Sequence, residues 1–159
     1  MSYADIHFHI LPGVDDGPSS MDESVALAAA AVADRKLTEK GERQSRVAGI
    51  ALKKLGVELD ACLASPKARA ADTAKLACEA LGVDVQLEPK LAGGPFDAGE
   101  LAAGLGDDVM FVGHDPDFSM AVHTLTGAQV RMKKGGLAGV DRGELKVLLR
   151  PAELEAMAD

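Results

Sequence analysis

A histidine follows directly on a strand-like apolar run at residues 109–114, Val-Met-Phe-Val-Gly-His, and Asp115-Pro116-Asp117 next supply the residues with which a helix begins. A parallel strand ends with its side chains aimed at a crevice. The following helix brings unpaired N–H groups and a positive dipole end to the same place, so a phosphate or carboxylate fits there. Gly113 would let the backbone approach a ligand, Pro116 suits a first helical turn, and Asp115 or Asp117 can cap it. The plainer alternative is a histidine that only finishes a strand. A second strand end has the same form. Ala61-Cys62-Leu63-Ala64 runs into Ser65-Pro66-Lys67-Ala68-Arg69, and the alanine-rich helix that follows reaches Leu81 and closes at Gly82. Arg69, in its first turn, opposes the helix dipole. It is poorly placed for helix stability and well placed to grip an anion, the alternative being a solvated surface arginine.

A third grouping lies near the start of the chain. His7 and His9 alternate by two, so on a strand both imidazoles point to one face and could share an ion, with Asp5 on the same face. A catalytic metal site generally takes three or more protein ligands, and Asp15 and Asp16 would help only by folding back. Adventitious binding of a divalent metal by His7 and His9 is therefore expected ahead of a metalloenzyme site, and no cofactor is required.

These groups need elements to hold them. Residues 37–44, Leu-Thr-Glu-Lys-Gly-Glu-Arg-Gln, predict a helix capped by Thr38 that runs amphipathically to Leu55 and ends at Gly56. The helix after His114 is predicted over 116–125, stopping at Gly127. Further strands are predicted at 130–133 and 144–149, the last terminated by Pro151. Upstream, Ser20 and Glu23 form a capping box for an alanine-rich helix to residue 34. The stretch Ala92-Gly93-Gly94-Pro95-Phe96-Asp97-Ala98-Gly99 has no nucleotide-loop pattern and reads as a loop or as a flap over a pocket at the sheet's C-terminal edge.

Four phrases, in this order and spacing, carry a resemblance: Leu37-Thr38-Glu39-Lys40-Gly41; Ser65-Pro66 with Arg69 and Thr73-Ala74; Val112-Gly113-His114-Asp115-Pro116-Asp117; and Leu125-Thr126-Gly127 with Lys133-Lys134-Gly135. Over residues 35–151 the chain resembles the small bacterial phosphohistidine phosphatases of the histidine phosphatase superfamily. The resemblance implies an α/β three-layer sandwich, a mostly parallel sheet with helices on both faces, and a metal-free phosphatase that works through a phosphohistidine intermediate. It carries Arg69 and His114 over as one arginine and one histidine of a phosphate pocket that has two of each, with Ser65 beside them as a substrate contact. The family's other pair, an Arg-His followed by a small residue on the first strand, is missing.

In its place stands Ala4-Asp5-Ile6-His7-Phe8-His9-Ile10-Leu11-Pro12-Gly13-Val14-Asp15-Asp16-Gly17. This stretch resembles the opening of the manganese-dependent tyrosine phosphatases of the polymerase and histidinol phosphatase superfamily, in which the His-x-His pair binds metal. The chain thus reads as a mosaic, a chimera by engineering or by natural fusion. Residues 1–34 are a foreign strand-loop-helix element on a body of 35–151, within one domain of 1–159. If the new strand keeps the old register, His9, or with less ease His7, falls near the strand end. His9 is then the substitute nucleophile for phosphate held by Arg69 and a protonated His114. Phe8 would stand where the family has arginine, and Ile10 where it has a small residue. Losing one bidentate guanidinium is worth on the order of a thousandfold in rate. An impaired phosphohistidine phosphatase is the expectation; the alternatives are an inactive scaffold that keeps an anion pocket and, after that, a metal-dependent phosphatase on His7 and His9.

Composition sets outer bounds. With 159 residues, 47% of them apolar and 26% charged, one core can form, and with no Trp and one Tyr it must be built of aliphatic residues and alanine. A net charge of -8 disfavours nucleic acid. The one basic cluster, Arg131, Lys133 and Lys134, reads as a solvated strand edge or as a greeting surface for an acidic, phosphohistidine-bearing protein, a small phosphate ester being the other partner class. Cys62 and Cys78 lack metal or redox spacing and read as packing residues, and His123 is assigned no role. The longest apolar stretch, residues 25–33, is too short to span a bilayer, so a membrane is not an expected partner and a cytoplasmic location is expected. A monomer is expected ahead of a dimer made by swapping the first strand.

Overall fold

The computed structural model describes residues 7–12 as backbone and residues 36–159 in full. The predicted helix at 20–34, its Ser20 and Glu23 box, and Asp5, Asp15 and Asp16 lie outside the described residues.

Six strands make one sheet: β1 (His7–Pro12), β2 (Ala61–Ala64), β3 (Val85–Leu87), β4 (Asp108–Gly113), β5 (Leu137–Asp141) and β6 (Glu144–Leu149), in the order β3-β2-β4-β1-β5-β6. The first four in chain order run parallel to one another, while β5 and β6 are antiparallel additions at one side. Helices α1 (Glu39–Lys54), α2 (Ala68–Leu81), α3 (Ala98–Ala102), α4 (Asp117–Thr126) and α5 (Pro151–Ala158), with a 3-10 turn at Pro89–Ala92, complete the described elements.

The central strands β2 and β4 read as unbroken apolar runs because both of their faces are covered. Strand alternation divides their side chains. Ala61, Leu63, Val109 and Phe111 pack with Leu91, Ala98, Phe118 and Val122 on one side. Cys62, Ala64, Met110 and Val112 pack with Ala48, Leu52, Ala74, Ala77 and Leu154 on the other. This is the α/β three-layer sandwich, with α1, α2 and α5 on one face and α3 and α4 on the opposite face.

The alanine-rich composition has a packing consequence. Small residues let α1 and α2 approach so closely that a Cβ added to Gly49 would lie 2.1 Å from the Ala77 carbonyl oxygen. Thr38 caps α1, its hydroxyl oxygen accepting from Gly41 N at 3.1 Å, and Gly82, at φ 71°, closes α2, both as the sequence predicts.

One prediction near the C-terminus is corrected, and one unpredicted strand is added. Residues 130–133 form no strand, although they alternate apolar and polar. Met132 is buried as a single anchor and its N–H donates to Ser119 Oγ at 3.1 Å, so this backbone serves α4 instead of a ladder. The missing strand is Leu137–Asp141, whose Ala138 and Gly139 give little strand signal. It joins β6 through a tight turn in which Arg142 and Gly143 have φ of 49° and 76°. Pro151 does end β6, and it also opens α5 at a position where its missing N–H costs nothing.

Candidate functional site

Parallel register brings the ends of three strands to one edge of the sheet. Ala64 pairs with Val112 and Pro12 with Gly113, so the residues after β2 and β4 emerge side by side. Ser65 is fixed at this edge by its own N–H, which donates to the Val112 carbonyl at 2.9 Å. Its hydroxyl is fully buried and lies 2.8 Å from His114 Nε2, a hydrogen bond in which either group can donate. The same oxygen accepts from Lys67 N at 3.2 Å. Ser65 thus locks the imbedded edge of His114 to the entrance of α2, a positioning duty that its sequence assignment as a substrate contact did not include.

The two helix N-termini expected at this edge are present. Arg69 sits half-buried in the first turn of α2, which contains no acidic residue, and Lys67 is the residue before the helix. At α4 it is Asp115 that caps, its Oδ1 accepting from Ser119 N at 3.0 Å and from Ser119 Oγ at 2.6 Å. Pro116 stands at the cap position, one residue before the first helical turn. Asp117 does something else: its Oδ2 accepts from Gly94 N at 3.0 Å, tethering the glycine-rich loop to the start of α4. Phe96 of that loop packs on Phe118 and Phe111, ring centroids 5.1 and 6.2 Å away. The stretch that reads as a loop or a flap is therefore anchored beside the site.

Gly113 has a role different from the predicted one. A Cβ there would meet Phe118 Cε2 at 2.2 Å, so its missing side chain is filled by an aromatic ring and not by a ligand.

Electrostatically, His114 is a half-buried base among cations. Burial first, then the charges of Lys67 and Arg69, lower its pKa from the ordinary 6.5, against a smaller opposing pull from Asp117. At neutral pH the imidazole is neutral in the free protein, whereas the sequence reading has it protonated on phosphate. Sequence reasoning also missed Lys67, whose position just before a first-turn arginine was the available signal.

The first strand is placed differently from the expectation. His9 pairs with Met110, three residues before the β1 end at Pro12, and His7 pairs with Asp108 at the strand's beginning. At about 3.3 Å per residue this sets the His9 backbone some 10 Å back from the edge where Ser65 and His114 emerge. The physical reason is that β1 runs on to Pro12, so its register, not the histidine, decides which residue reaches the crevice. Among the described residues no three His, Cys, Asp or Glu side chains gather as a metal site.

Next to the site, α4 and the segment after it border a groove of about 870 Å³ lined by Asp115, Pro116, Ser119, Met120, His123 and Arg131. His123 Nδ1 lies 3.1 Å from the Ala128 carbonyl oxygen at the far end. Arg131, Lys133 and Lys134 are exposed along an irregular segment, not along a strand edge. No helix among the described residues is long and apolar enough to cross a membrane.

Comparison with known proteins agrees with this fold. Residues 26–130 match the family model described as histidine phosphatase superfamily (branch 1), a span that begins beyond β1. Residues 3–37 match a second model, capsular polysaccharide synthesis, CpsB/CapC, which reaches less than half of the chain. An uncharacterized protein of Picosynechococcus sp. is 32% identical over 125 residues, covering 72% of this chain and 76% of that protein. Among solved structures, the protein histidine phosphatase SixA complexed with tungstate superposes with a TM-score of 0.71 at 22% identity, covering 94% of this chain and 99% of that one. The alpha-ribazole phosphatase of Shigella flexneri gives 0.66 at 16% identity over 92% and 97%. A phosphoserine phosphatase of Entamoeba histolytica, in complex with 3-phosphoglyceric acid, gives 0.63 at 13% over 94% and 99%. At these identities the likeness is one of fold, and the three are phosphatases named for different substrates.

Proposed function

The chain belongs to the histidine phosphatase superfamily, and we propose that it is a phosphohistidine phosphatase-like protein whose site binds phosphoryl groups without a metal and turns them over slowly. The observation that carries this reading is the joined trio of Lys67, Ser65 and His114 beside Arg69, at the point where α2 and α4 direct their N-termini. A tetrahedral dianion would take N–H groups from the start of α2 and the guanidinium of Arg69. His114, neutral beforehand, would gain a proton as the dianion offsets its cationic neighbours. SixA, similar in fold, was solved with tungstate, a tetrahedral oxyanion, which is consistent with this use of the architecture.

Turnover needs a nucleophile in line with phosphorus. A neutral imidazole would attack, the P–N or P–O bond of the substrate would break with the leaving group taking a proton, and water would later cleave the phosphohistidine. His9 is the candidate, and its place three residues inside β1 is the reason for proposing slow chemistry. Phosphohistidine suits such a site because its P–N bond is labile and protonated imidazole leaves readily. The partner is a phosphohistidine-bearing protein, with the groove beside α4 and Arg131 available to it; a small phosphate ester is the simpler substrate. We further propose that residues 1–34 are a transplanted element on a histidine phosphatase body within a single domain, consistent with two family matches that overlap over residues 26–37, that the protein is cytoplasmic, and that any metal on His7 and His9 is adventitious.

The register of β1 also favours a second reading: a catalytically inactive protein that keeps the anion site. Hydrolysis of a phosphohistidine peptide, with and without chelator, beside His9→Ala and His114→Ala variants, separates the two. Slow, chelator-resistant turnover that His114→Ala loses supports the phosphatase. Phosphate binding with no turnover selects the inactive reading, and turnover abolished by chelator would overturn the metal-free mechanism.

A further inference from the structure

Lys67 is an unusual residue to find where it is. It immediately precedes α2, where the helix dipole is positive, two residues before the first-turn Arg69 and with no acid in that turn. By contrast α1, α3, α4 and α5 each carry an acidic residue in the first turn. Lys67 is half-buried, and among the described residues its ammonium makes no hydrogen bond or ion pair. Its main-chain N–H donates to Ser65 Oγ, the atom that meets His114, so the residue's position is coupled to the imidazole through one hydroxyl. Its side chain extends toward the tethered loop, Nζ lying 3.9 Å from where a Cβ on Gly93 would stand. Next to Gly93, Gly94 is held to Asp117 at the start of α4. The ammonium consequently lies between the entrance of α2 and the anchored loop.

Three basic groups, Lys67, Arg69 and His114, are thereby drawn toward one helix entrance. The facing acid, Asp117, already accepts from the loop backbone, and the acid at the other cap, Asp115, is engaged by Ser119. With His114 neutral, the charges of Lys67 and Arg69 flank its ring, and a bound anion would be favoured between them.

We propose that Lys67 is a direct ligand of the bound phosphoryl group, reaching it from the side of the Gly93–Gly94 loop and favouring dianionic over monoanionic phosphate. This inference rests on the anion-binding reading of the same site and adds to it a residue that the motifs do not mark.

Calorimetric titration with inorganic phosphate tests it in the intact chain, comparing wild type with Lys67→Met, which keeps the aliphatic stem, Lys67→Arg, which keeps the charge, and Arg69→Met. The expected result is binding about tenfold weaker for Lys67→Met, nearly restored in Lys67→Arg, with a shallower dependence on salt. Protection of Lys67 from reductive methylation by phosphate in the wild type, read by peptide mass, gives the same answer without a substitution. If Lys67→Met binds like wild type while Arg69→Met does not, the role of Lys67 is overturned and the site reading stands. If wild type binds no phosphate, both fall.

Discussion

His114 shows how little a residue type says until its neighbours are known. A histidine at a strand end can finish a strand, hold a proton or bind an anion, and the choice here is set by a buried serine at 2.8 Å and by two cations nearby. Because the folded protein lowers its pKa below 6.5, the unfolded chain takes up a proton first as pH falls. Stability attributable to this group is therefore complete above 6.5 and is lost progressively from there down to the folded value. The charges facing the ring are Lys67 and Arg69, which lower its pKa, and Asp117, which raises it. Imidazole NMR titration of the free protein is expected to give a midpoint below the ordinary value and, with phosphate present, a higher one. A midpoint unmoved by phosphate would mean that no anion reaches His114.

At the scale of elements, two glycines decide which surfaces touch. Gly49 lets α1 lie against α2, and Gly113 lets Phe118 pack over the end of β4. For Gly49→Ala the clash is with a backbone carbonyl, so neither helix can relieve it by turning a side chain. The expected loss, measured by urea unfolding, is about 1–3 kcal/mol even after alanine's better helix propensity is counted. A neutral or stabilising result would show that α1 and α2 are less closely docked. Burial and adjacency act on the thiols as well: Cys62 of β2 and Cys78 of α2 are both buried, and their mutual interaction raises the pKa of Cys62 and lowers that of Cys78. Spacing alone left them as packing residues because fifteen intervening positions conceal a strand-to-helix return.

For the whole molecule, the main question is where the first strand pairs. β1 lies between β4 and β5 of its own chain, hydrogen-bonded on both sides. The two sheet edges are a three-residue β3 and a β6 that carries Glu144 and Lys146, both features that discourage strand pairing between copies. A net charge of -8 adds repulsion. Light scattering is expected to return a monomer mass; a dimer would point to exchange of β1 or to pairing along the exposed Val147 and Leu148 of β6.

Much of this was legible in the residues. The apolar runs of β2 and β4, the cap at Thr38, the glycine stops and the paired strand ends of Arg69 and His114 are local signals, fixed by backbone sterics and by the periodicity of burial. The strand at Leu137–Asp141 was not legible, since small residues show no pattern until neighbouring strands supply one. Nor was the true role of Gly113, which depends on a ring five residues on. The register of β1 was likewise out of reach: shifting it along β4 leaves the local sequence unchanged while moving His9 by whole residues from the crevice. The sequence by itself determined the long helices α1, α2 and α4, the central strands β2 and β4, and which two strand ends hold the cationic groups. Tertiary structure alone decided the meeting of Lys67, Ser65 and His114 and the setback of His9, because both depend on how strands distant in sequence align across a shared edge.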